Sequence, residues 1–394
     1  NFCPEMSVVM ILGNPNDRKD LIASCEGYQV VLISYPILRR DIEFLKDVSF
    51  DTAFLDEAQF IKNPNSRNAK AFKMLNAAHR FALTGTPIEN NLSELWSIFD
   101  YLMPGYLYSH SKFVNLYEKP VVRFESEEAL KQLNFHIKPF ILRRMKKDVL
   151  SELPEKTERK MVSDMTDEQK EVYMSYLEDM KKKINSEINK NGFEKSRMMI
   201  LASLTRLRQI CCHPSTFVEN YEGGSGKLNL LLQLVQNAIE GGHRILVFSQ
   251  FTSMLNIIEE EFKKLKISYY YLDGSTPITQ RSENVKSFNN GNRDVYLISL
   301  KAVGTGLNLV VADMVIHYDP WWNPAVEDQA TDRVYRIGQK NSVNVVKLIT
   351  KGTIEEKIYK LQEKKKNLAD SVIKAGEVFI NKLTKEEVED LFNM

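Results

Sequence analysis

Two adjacent acids, Asp56 and Glu57, close an apolar run in Phe54-Leu-Asp-Glu-Ala-Gln59. Apolar strand residues leading into carboxylates predict that the pair sits at the carboxyl end of a central strand, the edge where open α/β sheets bind ligands. Phosphoryl transfer to water needs one carboxylate to hold Mg²⁺ and a second group to orient the attacking water. Asp56 can serve the metal and Glu57 the water. Taken alone, such a pair is commonly a solvated strand end. A second motif, Leu83-Thr-Gly-Thr-Pro87-Ile-Glu-Asn90, follows the next predicted strand. Its turn, Thr84, Gly85 and Thr86, offers two hydroxyls able to bond the neighbouring acidic loop. A plain strand-to-helix turn with an early helical Pro reads equally well.

The later half carries cationic chemistry. Asn323-Pro324 predicts an N-cap followed by Pro at the first helical position. On that helix Gln329, Arg333 and Arg336 are expected to share one face. Arginines aimed at a transferring phosphoryl group are worth about 10³–10⁵ in rate; a solvated stripe paired with Glu327, Asp328 or Asp332 is the plainer account. Upstream, Gly304 and Gly306 in Val303-Gly-Thr-Gly-Leu-Asn-Leu309 would let backbone approach a phosphate closely. Trp321 and Trp322 end the next strand, as core residues or as a surface platform. Gly223-Gly-Ser-Gly-Lys227-Leu228 imitates a phosphate loop but lacks the G-x-x-x-x-G-K-[ST] spacing, so it reads as linker and helix start.

Positioning these groups requires two α/β lobes. Short β-branched runs at 7–13, 28–36, 51–58 and 79–86, and again at 244–251, 268–275, 293–299, 314–320 and 343–350, predict parallel sheets covered on both faces. Between them, 107–226 reads as charged and helical; Thr166-Asp-Glu-Gln169 is a capping box, and the lysines of 180–190 read as a solvated face. A length of 394 residues with 43% hydrophobic and 27% charged content suits two domains with sizeable cores. No apolar run reaches the roughly 20 residues of a membrane span. The net charge of +1 leaves nucleic acid open, since a local basic groove suffices. Four cysteines without C-x-x-C spacing, including Cys211-Cys212-His213, predict buried reduced thiols and no zinc.

In order, Asp56-Glu-Ala-Gln59, Leu83-Thr-Gly-Thr-Pro-Ile-Glu-Asn90, Phe140-Ile-Leu-Arg-Arg144, Leu207-Arg-Gln-Ile-Cys-Cys-His-Pro214, Val247-Phe-Ser-Gln-Phe251, Gly304-Thr-Gly-Leu-Asn308, Asp319-Pro-Trp-Trp-Asn-Pro324 and Gln329-Ala-Thr-Asp-Arg-Val-Tyr-Arg-Ile-Gly-Gln339 closely resemble the Swi/Snf family of helicase superfamily two. The Asp-Glu-Ala-Gln form is most similar to prokaryotic members. The resemblance implies an α/β fold of two RecA-like doubly wound parallel-sheet lobes with helical protrusions. It divides the chain into 1–160 (first lobe), 161–226 (protrusion and linker), 227–352 (second lobe) and 353–394 (C-terminal helices). It implies ATP with Mg²⁺ as cofactors, bound between the lobes, and backbone contacts to double-stranded DNA without sequence preference. Asp56 would serve Mg²⁺, Glu57 the water, and Arg333 and Arg336 the phosphoryl charge. Gln329, Gly304 and Gly306 would line the nucleotide. Thr84, Gly85, Thr86, Gln250, Thr305, Asn308, Trp321 and Trp322 would couple it to DNA. A cytoplasmic, nucleoid-associated motor follows, with a DNA-bound protein as its remodelling target.

The family's Gly-rich loop with Lys and Thr is expected upstream of the strand at Ser7, and the chain starts at Asn1. Without that loop the phosphates lose their cradle, so these residues alone are expected to hydrolyse ATP barely or not at all. The competing readings are a strand-separating DNA or RNA helicase and a nucleic-acid-binding module with a vestigial ATPase site. A metal nuclease would need acidic or His partners that Asp56 and Glu57 lack in the sequence.

Overall fold

A computed structural model describes residues 3–85, 92–124, 126–142, 144, 153–303, 307–322, 324–371 and 385–392. These divide into two compact units, the first running to residue 142 and the second from residue 144.

In the first unit β1 (Val8–Met10) pairs in parallel with β2 (Val30–Leu32), and β3 (Ser49–Leu55) with β4 (Asn76–Ala82). Helices Pro15–Ala23, Tyr35–Leu45, Arg67–Lys73 and Leu92–Leu102 follow or separate the strands. Because strand side chains alternate between faces, Val9, Ile11 and Leu55 enter a core with Leu38, Leu45, Phe72 and Tyr101. The opposite face is apolar too, but exposed: Val8, Met10, Leu32, Phe54, Phe81 and Leu83 lie on the surface. Phe54 and Phe81 stack there with ring centroids 5.1 Å apart. Among the described residues that face of the unit is open to solvent.

The second unit is built on a six-stranded parallel sheet with order β5-β10-β9-β6-β8-β7. Its strands are β5 (Lys156–Ser163), β6 (Ile245–Ser249), β7 (Tyr269–Leu272), β8 (Val295–Ser299), β9 (Met314–His317) and β10 (Val343–Thr350). Helices Gly226–Glu240 and Thr252–Lys264 cover one face through Val247, Leu297, Ile316 and Val346. Phe288, Ala330 and Val334 cover the other through Leu246, Phe248, Ile298 and Val315. This is a doubly wound RecA-like α/β sheet.

Strand β5 corrects the expected boundary at residue 160, which falls inside it. It pairs with β10 from Lys156↔Val343 to Ser163↔Thr350 and belongs to the second unit. Its sequence, Lys-Thr-Glu-Arg-Lys-Met-Val-Ser, is that of a charged edge strand, which hides the apolar signal while discouraging edge pairing.

The expected protrusion is a pair of helices, Asp167–Asn191 and Phe193–Cys212, joined at Gly192 with φ +80°. Thr166 caps the first by accepting from the Gln169 N–H at 3.2 Å. The Gln169 side chain does not return to Thr166; it donates to the Ile210 carbonyl at 2.9 Å and accepts from Gly226 N. Tyr173, Leu177, Leu204 and Leu207 form the pair's core with Ile354, Ile358, Leu391 and Phe392 of helices Ile354–Ser371 and Lys385–Phe392. The lysine-rich face is solvated as expected, Lys183 pairing with Asp179 at 2.8 Å. No helix among the described residues is long and apolar enough to cross a membrane.

Candidate active site

After β3 buries Leu55, the chain turns left-handed at Glu57, with φ 52° and ψ 54°. A non-glycine residue there carries about 1–2 kcal/mol of strain, and such strain collects at functional sites. The turn is held from several sides. The Tyr35 hydroxyl donates to the Asp56 carbonyl at 2.7 Å, with its ring against Phe60 and Phe72. Burial, then the nearby Asp56 charge, holds the Tyr35 phenol well above its ordinary range. The Ala58 N–H donates to Leu83 O at 2.9 Å, and the Leu83 N–H to Leu55 O at 2.7 Å, so the backbone laces the acidic loop to the Thr-Gly-Thr loop.

Side chains complete the link. Gln59 Nε2 donates to Glu57 Oε2 at 2.8 Å, and Thr84 Oγ1 donates to Gln59 Oε1 at 2.9 Å. One amide thus joins the candidate water-orienting acid to the threonine loop. Gln59 was legible as part of the acidic motif but was not singled out in sequence; its only signal was an amide two residues beyond Glu57. The Asp56 carboxylate accepts its neighbour's N–H at 3.0 Å and is otherwise turned to solvent. That suits Mg²⁺, which takes one or two carboxylates together with substrate phosphates. Gly85 is exposed, and Thr86 lies outside the described residues.

The arginines depart from the sequence expectation. The helix starting at Pro324 ends at Thr331, so only Gln329 of the three lies on it. Beyond it the chain closes turns: Arg333 N–H bonds Ala330 O, and Arg336 N–H bonds Val334 O. The Arg333 carbonyl accepts from Leu309 N–H at 3.1 Å instead of continuing a helix. Buried Val334 and Gln339 fix the turns in the core, and Gln339 Nε2 donates to Ala312 O at 2.7 Å. Arg333 and Arg336 therefore do not share a helical face with Gln329; all three are half-buried.

The carboxyl ends of β6 and β9 meet at Asp319. Its carboxylate accepts from the Ser249 hydroxyl and from Gln250 N–H at 3.3 Å. Burial pushes the Asp319 carboxyl up to about 6, against the opposing pull of Arg208. Trp322 is buried under the Arg208 guanidinium, 4.9 Å from ring centroid to cation, so it is no open platform here; Trp321 is half-buried. Asn308 is exposed and its carbonyl accepts from Asn289 Nδ2 at 2.8 Å. Gly304, Thr305 and Gly306 lie outside the described residues.

The phosphate-loop imitation is a helix start, as its spacing predicts. Ser225 caps helix Gly226–Glu240, and Lys227 is fully buried in an ion pair with Glu355. Cys211 and Cys212 are buried, burial raising both thiols, and no group of three potential metal ligands occurs among the described residues.

Two α/β units bearing these motifs in this order define the core fold of helicase superfamily two. Residues 1–216 match the SNF2-related domain and 226–338 the helicase conserved C-terminal domain. The chain belongs to the Swi/Snf family. The putative ATP-dependent helicase/translocase YwqA of Bacillus subtilis is 40% identical over 402 residues, 100% of this chain and 43% of its own length. The TATA-binding protein-associated factor MOT1 of Saccharomyces cerevisiae is 34% identical over 449 residues, 100% of this chain and 24% of its own. The chain thus spans less than half the length of these curated relatives. The solved Sulfolobus solfataricus SWI2/SNF2 ATPase core in complex with dsDNA matches with a TM-score of 0.52 at 36% identity, covering 98% of this chain and 81% of that one.

Proposed function

We propose that this chain is the motor segment of an ATP-dependent translocase that moves along double-stranded DNA and remodels protein–DNA complexes. The observation that carries the proposal is the hydrogen-bonded relay Glu57–Gln59–Thr84. A hydrolytic site that drives movement needs its water-orienting acid tied to an element that can feel another ligand, and the relay has that form. A vestigial site has no use for it.

In this account Asp56 holds Mg²⁺ and Glu57 orients the attacking water, with Gln59 fixing the carboxylate's rotamer. Arg333 and Arg336 neutralise charge on the transferring phosphoryl group, and Gln329 lies against the nucleotide. Mg²⁺, when bound, screens the phosphates; the side chains named do the orienting. Gly304 and Gly306 belong to the nucleotide loop. Thr84, Gly85, Thr86, Gln250, Thr305, Asn308 and Trp321 form the coupling set towards DNA, and Trp322, buried under Arg208, serves it as packing and not as a contact surface. The dsDNA complex of the similar ATPase core supports duplex as the track, and a cytoplasmic, nucleoid-associated setting follows from that track in this reading.

The test is triplex displacement by the full protein encoding this chain. A translocase strips a third strand from duplex only with hydrolysable ATP, leaves the duplex strands paired, and slows about ten- to a hundredfold in Gln59→Leu. Separation of the duplex itself would favour the strand-separating helicase, and DNA binding without ATP-dependent displacement would favour a binding module.

A further inference from the structure

Arg208 sits four residues before the end of helix Phe193–Cys212 and is 1% exposed. Its guanidinium donates through Nη1 to Gln250 Oε1 at 3.2 Å and through Nη2 to the Pro320 carbonyl, with Asp319 Oδ2 3.6 Å away. The same group lies 4.9 Å from the Trp322 ring and 5.7 Å from that of Phe251. One side chain from the helical pair therefore touches the end of β6 and the end of β9 together.

The segment it grips continues under restraint. Trp321 N–H donates to Glu327 Oε1 at 2.6 Å, Gln362 donates to the Trp321 carbonyl, and Lys347 pairs with Glu327 at 2.9 Å. That stretch leads directly to Gln329, Arg333 and Arg336. A fully buried Arg–Asp pair is a poor source of stability, because desolvation offsets most of its attraction. Its value lies in geometry, and Arg supplies a planar fork that bridges and stacks at once, which Lys cannot.

We infer that Arg208 is a positioning residue that locks Gln250, the Asp319–Trp322 segment and the helical pair into one rigid edge. Movement of the helical pair then moves that edge, and with it the approach to Arg333 and Arg336. The groups facing Asp319 are Arg208 and Lys227 as cations, Glu355 as an anion, and the Ser249 hydroxyl and Gln250 N–H as donors. Burial pushes the Asp319 carboxyl up to about 6 against the pull of Arg208, and removing the cation is expected to move it higher.

The kinetic part of the inference rests on the proposed motor function, so two readouts are needed. Within these 394 residues the tryptophans are Trp96, Trp321 and Trp322, and W96F/W321F in this chain leaves Trp322 as its emitter. Arg208→Gln is expected to red-shift that emission and raise acrylamide quenching at unchanged far-ultraviolet circular dichroism, with Arg208→Lys in between. In duplex-stimulated ATP hydrolysis, Arg208→Lys is expected to lower kcat roughly tenfold, the loss of about one charged hydrogen bond, at unchanged KM for ATP. An acid limb of kcat set by Asp319 is expected near pH 6, moving upward in Arg208→Gln and absent from Arg208→Gln/Asp319→Asn. Wild-type shielding of Trp322 in Arg208→Gln, or a kcat and acid limb unmoved by it, overturns the inference. Absence of ATP hydrolysis in the full wild-type protein refutes the motor function instead, and the quenching result in this chain still decides Arg208.

Discussion

Replacing Lys227 by Met tests the burial argument most sharply, because this lysine is the one that mimics a phosphate-loop residue in sequence. Lys227 and Glu355 are both 0% exposed and bonded to each other. Met keeps the length of the apolar stem and removes the charge. The Glu355 carboxylate then stays buried with the Thr350 N–H, 3.0 Å away, among its remaining donors. Removing one partner of a buried pair costs about 3–5 kcal/mol; the retained N–H places the loss near the lower end, about 3 kcal/mol. The double variant Lys227→Met/Glu355→Leu removes both charges and should recover to within about 1–2 kcal/mol of wild type. Urea unfolding of these 394 residues carrying W96F, followed by Trp321 and Trp322, reports on the second unit. A single variant within about 0.5 kcal/mol of wild type, or a double variant no more stable than the single, would refute the reasoning.

Thr84→Val removes a neutral donor to Gln59 and should lower kcat for duplex-stimulated hydrolysis about three- to tenfold, whereas Gln59→Leu removes a bond to a carboxylate and should cost about ten- to a hundredfold; equal, negligible effects would dismantle the relay. His317 is buried, stacked on Phe248, and held by burial and Lys347 at about 3 against an ordinary 6.5. It stays neutral in the fold, so its contribution is present above pH 6.5 and lost as pH falls towards 3, at up to about 1.4 kcal/mol per pH unit. Asp319, raised from 3.8 to about 6, acts with the opposite sign as pH falls through that window. The comparison of wild type with His317→Asn isolates the histidine, and the variant's stability should fall less steeply below pH 6.5. A Cβ at Gly226 would lie 1.8 Å from the Asp164 carbonyl oxygen, so Gly226→Ala should lose about 3 kcal/mol or more and lower Tm measurably.

The second sheet was legible because its strands are uninterrupted β-branched and apolar runs, buried on both faces in β6, β8 and β9. β5 was not, because an edge strand shows charge where a central strand shows Val and Ile. Sequence leaves the threonine loop either able to bond the acidic loop or a plain turn; that Gln59 bonds Thr84 depends on a left-handed turn at Glu57 that composition cannot reveal. The arginine geometry departs from the spacing for a related reason. Spacing over 329–336 fits a helix, yet Leu309 takes the Arg333 carbonyl, a tertiary bond with no local signature. Arg208 was read only as part of a motif, since nothing in a helix sequence marks which arginine will be buried among aromatic rings.

The central claim, that this chain belongs to a DNA-driven ATP motor, is tested most directly by ATP hydrolysis with and without duplex DNA. The protein as encoded should be compared with its Glu57→Gln and Arg336→Ala variants. The account predicts hydrolysis that rises with duplex and falls by about 10³-fold or more in the arginine variant, with a comparable loss for Glu57→Gln. Hydrolysis indifferent to duplex, or unimpaired in both variants, would contradict it.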